Sequence, residues 1–133
     1  MTRLGSSAGA VDGGRQRHER RGRTSEMLAA MFLMLKGYRI LDRRYRARSG
    51  EVDLIAVRGR RVAFVEVKFR ASLDTARYAI TSRQADRLAR TAEQWIWRHP
   101  AYRNHQIGLD ALLLAPWRMP RHVPNALQRA RSC

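Results

Sequence analysis

The spacing of apolar side chains predicts a helix in the first third of the chain. Large apolar residues recur there at the three- and four-residue intervals of one helical face, as Met27, Leu28, Met31, Phe32 and Leu35. Thr24 or Ser25 can cap the start of this helix, because a hydroxyl accepts a hydrogen bond from a free backbone N–H. Gly37 can end it, since glycine readily adopts the left-handed conformation found after a helix C-terminus.

Strand patterns and one more helical pattern follow along the chain. Segments rich in β-branched and aromatic residues predict strands, and a second helical period precedes Pro100. The predicted elements are strands at 38–45, 52–57 and 61–69, a turn at 46–50, a helix at 81–99 and a strand at 107–115. Helix, three strands, helix and strand in this order indicate an α/β fold with a mixed sheet flanked by helices.

The two ends of the chain differ in composition from its middle. Residues 1–23 are rich in Gly, Ser and Arg and hold almost no large apolar side chains, so they cannot bury enough surface to offset the entropy of ordering. We predict a disordered basic tail at 1–23, one compact domain at 24–128 and a short C-terminal tail at 129–133. A length of 133 residues suffices for a single core.

The charge of the chain indicates a polyanionic partner. Lys and Arg number 27 against 11 Asp and Glu, a formal net charge of +16, and such a field concentrates nucleic acid around the protein. No membrane partner is expected, since the longest apolar run, Met27–Leu35, is about half of the roughly 20 residues that a span needs. Cys133 is the sole cysteine, which fits a reducing cytoplasm.

The segment from Asp53 to Lys68 predicts a β-hairpin that brings three ionisable groups together. A two-residue loop with Gly59 first matches a type II′ turn. Counting outward from this loop sets Asp53 opposite Glu66 on the neighbouring strand. Because strand side chains alternate between faces, Lys68 shares the face of Glu66.

Two carboxylates directly opposite each other on adjacent strands repel one another, with Cβ atoms about 5 Å apart. A divalent cation such as Mg²⁺ or Mn²⁺ relieves that repulsion, and Mg²⁺ commonly binds one or two carboxylates together with phosphate oxygens and water. Such an ion can activate water at a phosphate, and Lys68 can stabilise the charge that develops there. The alternative is that Lys68 only neutralises Glu66 on an ordinary solvated strand face.

The segments Gly50–Ala56 and Phe64–Lys68, followed by Arg70, resemble the YraN-like family of the PD-(D/E)XK nuclease superfamily, on its Holliday-junction-resolvase-like branch. The resemblance implies a restriction-endonuclease-like core. It also implies that the residues matching Asp53 and Glu66 hold metal and that the lysine matching Lys68 is catalytic. Glu26 matches the glutamate of the family's first helix, which adds it to the catalytic candidates.

This sequence departs from the superfamily and family patterns at three positions. Val52 stands where the superfamily name has proline, and Ser25 and Gly108 replace the usual glycine and arginine of the family.

Seven arginines are predicted to bind nucleic acid, at Arg46, Arg48, Arg58, Arg60, Arg61, Arg70 and Arg83.

Other notable residues are expected to have structural roles. Glu51 should face away from Asp53 and pair with an arginine, and Asp110, in an apolar strand, should also have an arginine partner because burying it alone is costly. The tryptophans are expected to be packing residues rather than base-stacking platforms, at Trp95, Trp97 and Trp117.

Three functions are consistent with these observations. The first is a metal-dependent nuclease that cleaves phosphodiester bonds in DNA, with branched or single-stranded DNA among the candidate substrates. The second is a non-catalytic nucleic-acid-binding module of the same fold, acting in DNA repair, recombination or RNA assembly. The third is an interaction protein whose basic surface docks on an acidic partner. A homodimer is left open by the sequence.

Overall fold

Five strands pair side by side in chain order to form one mixed sheet. They are β1 (Arg39–Ala47), β2 (Gly50–Arg58), β3 (Arg61–Phe69), β4 (Gln106–Leu114) and β5 (Arg121–Val123). The first three strands are antiparallel, β4 runs parallel to β3, and β5 returns antiparallel to β4. A parallel neighbour requires a crossover connection, and the segment between β3 and β4 provides it.

Helices cover both faces of this sheet. They are α1 (residues 24–35), α2 (Leu73–Tyr78), α3 (Ser82–Arg98) and α4 (Ala126–Ser132), with a 3₁₀ turn at Pro100–Tyr102. The computed structural model describes residues 24–132, so the tail predicted for 1–23 lies outside the described residues. The predicted α/β class, with a mixed sheet flanked by helices, is confirmed.

The boundaries of α3 show why the helical prediction was accurate there. Thr81 accepts a hydrogen bond from the backbone N–H of Gln84, and the Gln84 side chain accepts one from the backbone N–H of Thr81, both at 3.2 Å. This capping box uses two N–H groups that would otherwise lack partners. At the other end, the helix stops at Arg98, just before Pro100.

Three short elements were not predicted, and one predicted turn is shorter than expected. α2, β5 and α4 contain only six, three and seven residues. The residues at 129–132, predicted as a tail, belong to α4, and Ala130 packs against the core. The predicted turn at 46–50 was too long, because Arg46 and Ala47 pair with Glu51 and Gly50 across the β1–β2 hairpin.

The core has two layers, one on each face of the sheet. α3 packs on one face over a layer that includes Ile55, Phe64, Leu88 and Trp95. α1 packs on the other face over a layer that includes Ala29, Leu33, Leu54, Val65 and Leu112. This alternation places Val65 and Val67 on the α1 side, and therefore Glu66 and Lys68 on the α3 side, as predicted for the hairpin.

The tryptophans divide between core and surface. Trp95 is buried against Phe64, as expected for a packing residue. The expectation was wrong for Trp97 and Trp117, whose relative exposures are 80% and 101%. Trp97 is two residues beyond Trp95, and two helical residues are separated by about 200° around the axis, so the two indoles cannot share the buried face.

Asp110 on β4 has the arginine partner that the sequence predicted. Its two carboxylate oxygens accept hydrogen bonds from both terminal nitrogens of Arg61, at 2.7 and 2.8 Å. His122 Nε2 lies 2.8 Å from the same carboxylate, and the backbone N–H of Asn125 donates to it at 2.9 Å. Hydrogen bonds from Arg61, His122 and Asn125 outweigh the effect of burial and lower the pKa of Asp110 to about 2.

Candidate active site

The β2–β3 hairpin has the register that was predicted from its loop. Arg58 pairs with Arg61, and the pairing continues as far as Leu54 opposite Val65. Gly59 has a φ of 59°, while Arg60 after it has a negative φ, which selects a type II′ turn over type I′. The register of the strands therefore follows from the loop, and the same count leads to Asp53 and Glu66.

The backbone pairing of β2 with β3 ends one residue pair before Asp53 and Glu66. Beyond that point the Asp53 side chain, and not the β2 backbone, bonds to β3. Asp53 Oδ2 accepts a hydrogen bond from the backbone N–H of Val67 at 2.7 Å. Because Val67 directly follows Glu66, this bond holds the Asp53 carboxylate beside that part of β3. Both acids line the same cleft of the molecule.

Lys68 lies next to the second acid. Its Nζ is 3.4 Å from Oε2 of Glu66, and the exposed fractions of the two side chains are 9% and 21%. The strand face is not solvated here, since the lysine is buried, but the ion pair itself is the neutralisation of Glu66 that the alternative expected. Lys68 and Glu66 thus form a largely buried ion pair, of which Glu66 lines the cleft.

The two carboxyl groups lack sufficient positive charge between them. Burial, reinforced by the charge of Glu66, raises the pKa of Asp53 to about 8. Burial also raises the pKa of Glu66, although the neighbouring Lys68 opposes that rise through its charge and its hydrogen bond. One lysine for two buried acids leaves a site in which an added cation would stabilise the ionised carboxylates.

A divalent cation fits this donor set on chemical grounds. Within residues 24–132, no group of three or more His, Cys, Asp or Glu side chains is arranged to hold a metal ion. An ion bound in the cleft would have Asp53 and Glu66 as protein carboxylates, with water or substrate oxygens completing its shell. Mg²⁺ commonly binds in this manner, because it keeps several waters and takes few carboxylates.

Glu26, the fourth catalytic candidate, has an arginine partner that the sequence analysis did not anticipate. Nε of Arg44 donates to both oxygens of the Glu26 carboxylate, at 2.8 and 3.0 Å. Arg44 has a φ of 53° in the middle of β1, a conformation that is costly for a residue other than glycine. Glu26 contributes to the raised pKa of Asp53, so it acts electrostatically on the acidic centre while its oxygens bind Arg44.

The cleft that contains the acids has a volume of about 430 Å³. The β1–β2 turn forms one wall, and the first half of α3 forms the other. The lining residues are Arg48, Ser49, Gly50, Glu51, Asp53, Glu66, Gln84, Arg87 and Leu88. Arg87 was not anticipated, although its spacing of three residues from Gln84 and one from the buried Leu88 places it at the border of the helix's apolar face.

Four of the predicted nucleic-acid-binding arginines are exposed at positions away from the hairpin tip. Arg48 lines the cleft. Arg46 is paired with Glu51 at 3.3 Å, which confirms the expected arginine partner of Glu51. The expectation that Glu51 faces away from Asp53 was wrong, because both line the cleft and residues two apart on a strand share a face. Arg70 is exposed and donates to the carbonyl of Phe69, and Arg83 is exposed near the start of α3.

The other three predicted arginines lie at the hairpin tip, five residue pairs and about 16 Å from the acids. Arg61 is held by Asp110, so its terminal nitrogens are already used within the protein. Arg58 stacks on Tyr38, with 4.7 Å between its Cζ and the ring centroid, and donates to the carbonyl of Lys36. Arg60 is exposed in the turn.

A separate feature concerns membranes. No helix in the described part of the chain is long and apolar enough to cross a lipid bilayer.

The mixed sheet and the helix that precedes its first three strands fit a restriction-endonuclease-like core. The model of the uncharacterised protein family UPF0102 matches residues 25–114, a segment that contains all the acids of the cleft. The chain belongs to this YraN-like family, which is PD-(D/E)XK nuclease-like.

Relatives from several bacteria support this assignment. A UPF0102 protein of Methylorubrum extorquens is 52% identical over 108 residues, which cover 81% of this chain and 84% of the relative. A UPF0102 protein of Rhodopseudomonas palustris is 49% identical over 105 residues, 79% of this chain and 80% of the relative. One from Nitrobacter winogradskyi is 47% identical over 105 residues, 79% of this chain and 89% of the relative.

Proposed function

We propose that this protein is a metal-dependent nuclease that hydrolyses phosphodiester bonds in DNA. The observation that carries the proposal is the meeting of Asp53, Glu66 and Lys68 in one place, with both acids lining a cleft open to a large polyanion. The net charge of +16 supports a nucleic-acid substrate, because phosphate groups dominate the attraction to so basic a surface.

Each side chain of the site has a part in this chemistry. Asp53 and Glu66 would hold Mg²⁺ or Mn²⁺, which supplies an activated water and neutralises charge on the phosphate when it is bound. The Val67 N–H keeps the Asp53 carboxylate oriented toward β3. Lys68 stabilises negative charge on the phosphate oxygens, and its buried position removes competing solvent from that interaction.

The experiment is a cleavage panel of linear, flapped, single-stranded and four-way DNA, with Mg²⁺, with Mn²⁺ and with EDTA. The wild-type protein is expected to cleave at least one substrate only when the metal is present. Asp53→Asn is expected to abolish cleavage while leaving DNA affinity unchanged or higher, because the amide never carries the negative charge with which an ionised Asp53 repels phosphate. Asp74→Asn is the matched control, since Asp74 is exposed on α2 and lies outside the cleft.

Two outcomes would contradict the proposal. Equal cleavage by the wild type and by Asp53→Asn would mean that the acidic centre does not perform the reaction. Tight binding of every DNA form, without cleavage and without any effect of metal, would support the non-catalytic binding module instead.

A further inference from the structure

We infer that Arg87 binds a backbone phosphate of the substrate at the acidic centre, with Arg48 on the opposite wall of the cleft. This inference rests on the proposed function and adds to it the group that places the substrate. It identifies α3 as the element that contacts DNA in the cleft. The hairpin tip, where sequence analysis placed three phosphate-binding arginines, lies about 16 Å from the acids.

Arg87 lies close to Asp53 and Glu66 without forming an ion pair with either of them. It lines the same cleft as Asp53 and Glu66. The Arg87 side chain is nevertheless exposed, and its guanidinium makes no hydrogen bond and no ion pair within 4 Å to any residue that the structure describes. Its five N–H donors are therefore available to a ligand in the cleft.

Other arginines near the site are already used inside the protein. Arg44 binds Glu26, Arg46 binds Glu51, and Arg61 binds Asp110. Arg48 resembles Arg87 in this respect, since it is exposed, lines the cleft and has no such partner among the described residues. Two free guanidinium groups on opposite walls, with two acids between them, attract phosphate to the walls and a cation to the acids.

The capping box reduces what the N-terminus of α3 can offer a phosphate. It occupies the N–H groups of Thr81 and Gln84, and the N–H of Ala85 donates to the Thr81 carbonyl. The side chains of α3 that line the cleft lie further along the helix. Arg87, one turn after Gln84, is the basic side chain of α3 that lines the cleft.

The position of Arg87 is held by a contact between the two walls. Thr91 is fully buried; its hydroxyl lies 2.7 Å from that of Ser49 and donates to the Arg87 carbonyl at 2.9 Å. Gly50, with a φ of 152°, lies against this junction, and a Cβ there would be 3.6 Å from Cβ of Arg87. The β1–β2 turn is thus fastened to α3 beside Arg87, which sets the width of the cleft.

The test compares Arg87→Gln and Arg87→Lys with Arg98→Gln. Arg98 is an exposed arginine at the other end of α3, about 16 Å along the helix axis. DNA binding is measured in EDTA, so that no cleavage occurs, on a set of oligonucleotides that each carry one uncharged methylphosphonate at a successive position. A neutral linkage removes the charge of one phosphate and leaves the others in place.

At one position of the scan, the neutral linkage is expected to weaken wild-type binding by about tenfold, the effect of losing one charge-assisted hydrogen bond. In Arg87→Gln the same linkage should cost less than about twofold, because the partner of that phosphate is already absent. Arg87→Lys should show an intermediate cost, since a lysine keeps the charge without the planar fork. Arg98→Gln should behave like the wild type throughout.

Equal losses for the wild type and Arg87→Gln at every position would overturn the inference. With metal present, Arg87→Gln should also lower kcat/KM by about a hundredfold or more. Loss of cleavage in Asp53→Asn together with no effect of Arg87→Gln would refute the role of Arg87 alone. Absence of cleavage by the wild type would refute the proposed nuclease, while the binding scan would still report on Arg87.

Discussion

The ionised form of the Asp53 carboxyl group is unfavourable in the folded protein. Its pKa of about 8 in the folded chain lies above the ordinary value near 4, because burial and Glu66 both disfavour the ionised form. Between these two pH values the folded state binds more protons than the unfolded state. The free energy of unfolding of the metal-free protein therefore falls as the pH rises from about 4 to about 8.

Asp53→Asn should remove this penalty. We expect the variant, in EDTA, to unfold at a higher temperature than the wild type at pH 8, by several degrees for each kcal/mol gained, and to differ little from it near pH 4. The asparagine oxygen can still accept the hydrogen bond from Val67, so the strand contact is kept. Thermal unfolding over a pH series measures the effect.

The response to metal provides the control for this prediction. Added Mg²⁺ should stabilise the wild type and leave Asp53→Asn unchanged, because binding to the folded state alone raises its stability. An equal rise in the unfolding temperature of the variant at pH 4 and pH 8 would contradict the role given to ionisation.

At the scale of elements, Asp110 joins parts of the chain that are distant in sequence. Its carboxylate connects β4 to Arg61 at the hairpin tip, to His122 on β5 and to the backbone just before α4. Gln128 on α4 adds a second connection, because its amide accepts from the Leu109 N–H and donates to the Ile107 carbonyl. The Gln128 amide thus bonds to backbone groups of β4 beyond the end of β5, where a neighbouring strand would otherwise do so.

Asp110→Asn should therefore destabilise the whole C-terminal part of the sheet. Breaking a buried ion pair from one side leaves Arg61 without its partner, which costs about 3–5 kcal/mol at neutral pH. The folded pKa of Asp110 is depressed to about 2, so its stabilising effect is present above about pH 4 and is lost as the pH falls toward 2. The difference in the free energy of unfolding between Asp110→Asn and the wild type should therefore become smaller as the pH falls from 4 to 2.

Chemical denaturation at pH 7 and at pH 3 measures this difference, and Glu51→Gln is the comparison. The Arg46–Glu51 pair is solvent-exposed, and exposed pairs contribute less than about 1 kcal/mol. A loss of stability in Asp110→Asn no larger than that of Glu51→Gln would contradict the structural role of Asp110.

The longer elements could be predicted from the sequence, and the short ones could not. α1, α3 and β4 each present a sustained apolar pattern, and the β2–β3 hairpin has a glycine loop that sets its register. The patterns of α2, β5 and α4 are too brief to identify a period. β5 and α4 are stabilised by partners elsewhere in the fold, such as the Asp110 carboxylate and the edge of β4.

At the scale of the whole molecule, charge should dominate the affinity for nucleic acid. The described domain holds most of the excess of 27 basic over 11 acidic residues, since residues 1–23 include only six arginines and two acids. We expect the logarithm of the DNA association constant to fall linearly with the logarithm of the salt concentration. Four phosphate contacts would reduce affinity about a hundredfold between 50 and 200 mM salt.

Fluorescence anisotropy with a labelled oligonucleotide in EDTA measures that dependence. Arg87→Gln should reduce the slope by about one, and Arg98→Gln should leave the slope unchanged because Arg98 lies about 16 Å further along α3. A complex that is insensitive to salt would argue against phosphate contacts altogether.

The sequence by itself determined that Asp53, Glu66 and Lys68 would meet. A loop of two residues and the two-residue period of strands are local rules, and they place those side chains without knowledge of the rest of the fold. Only the tertiary structure decided which arginines are available to a substrate. Arg61 is bound by Asp110, 49 residues away, and Arg44 is bound by Glu26, 18 residues away. The Arg87 side chain lines the cleft without such a partner. Which charges pair depends on their distance in space, and that distance cannot be read from their spacing along the chain.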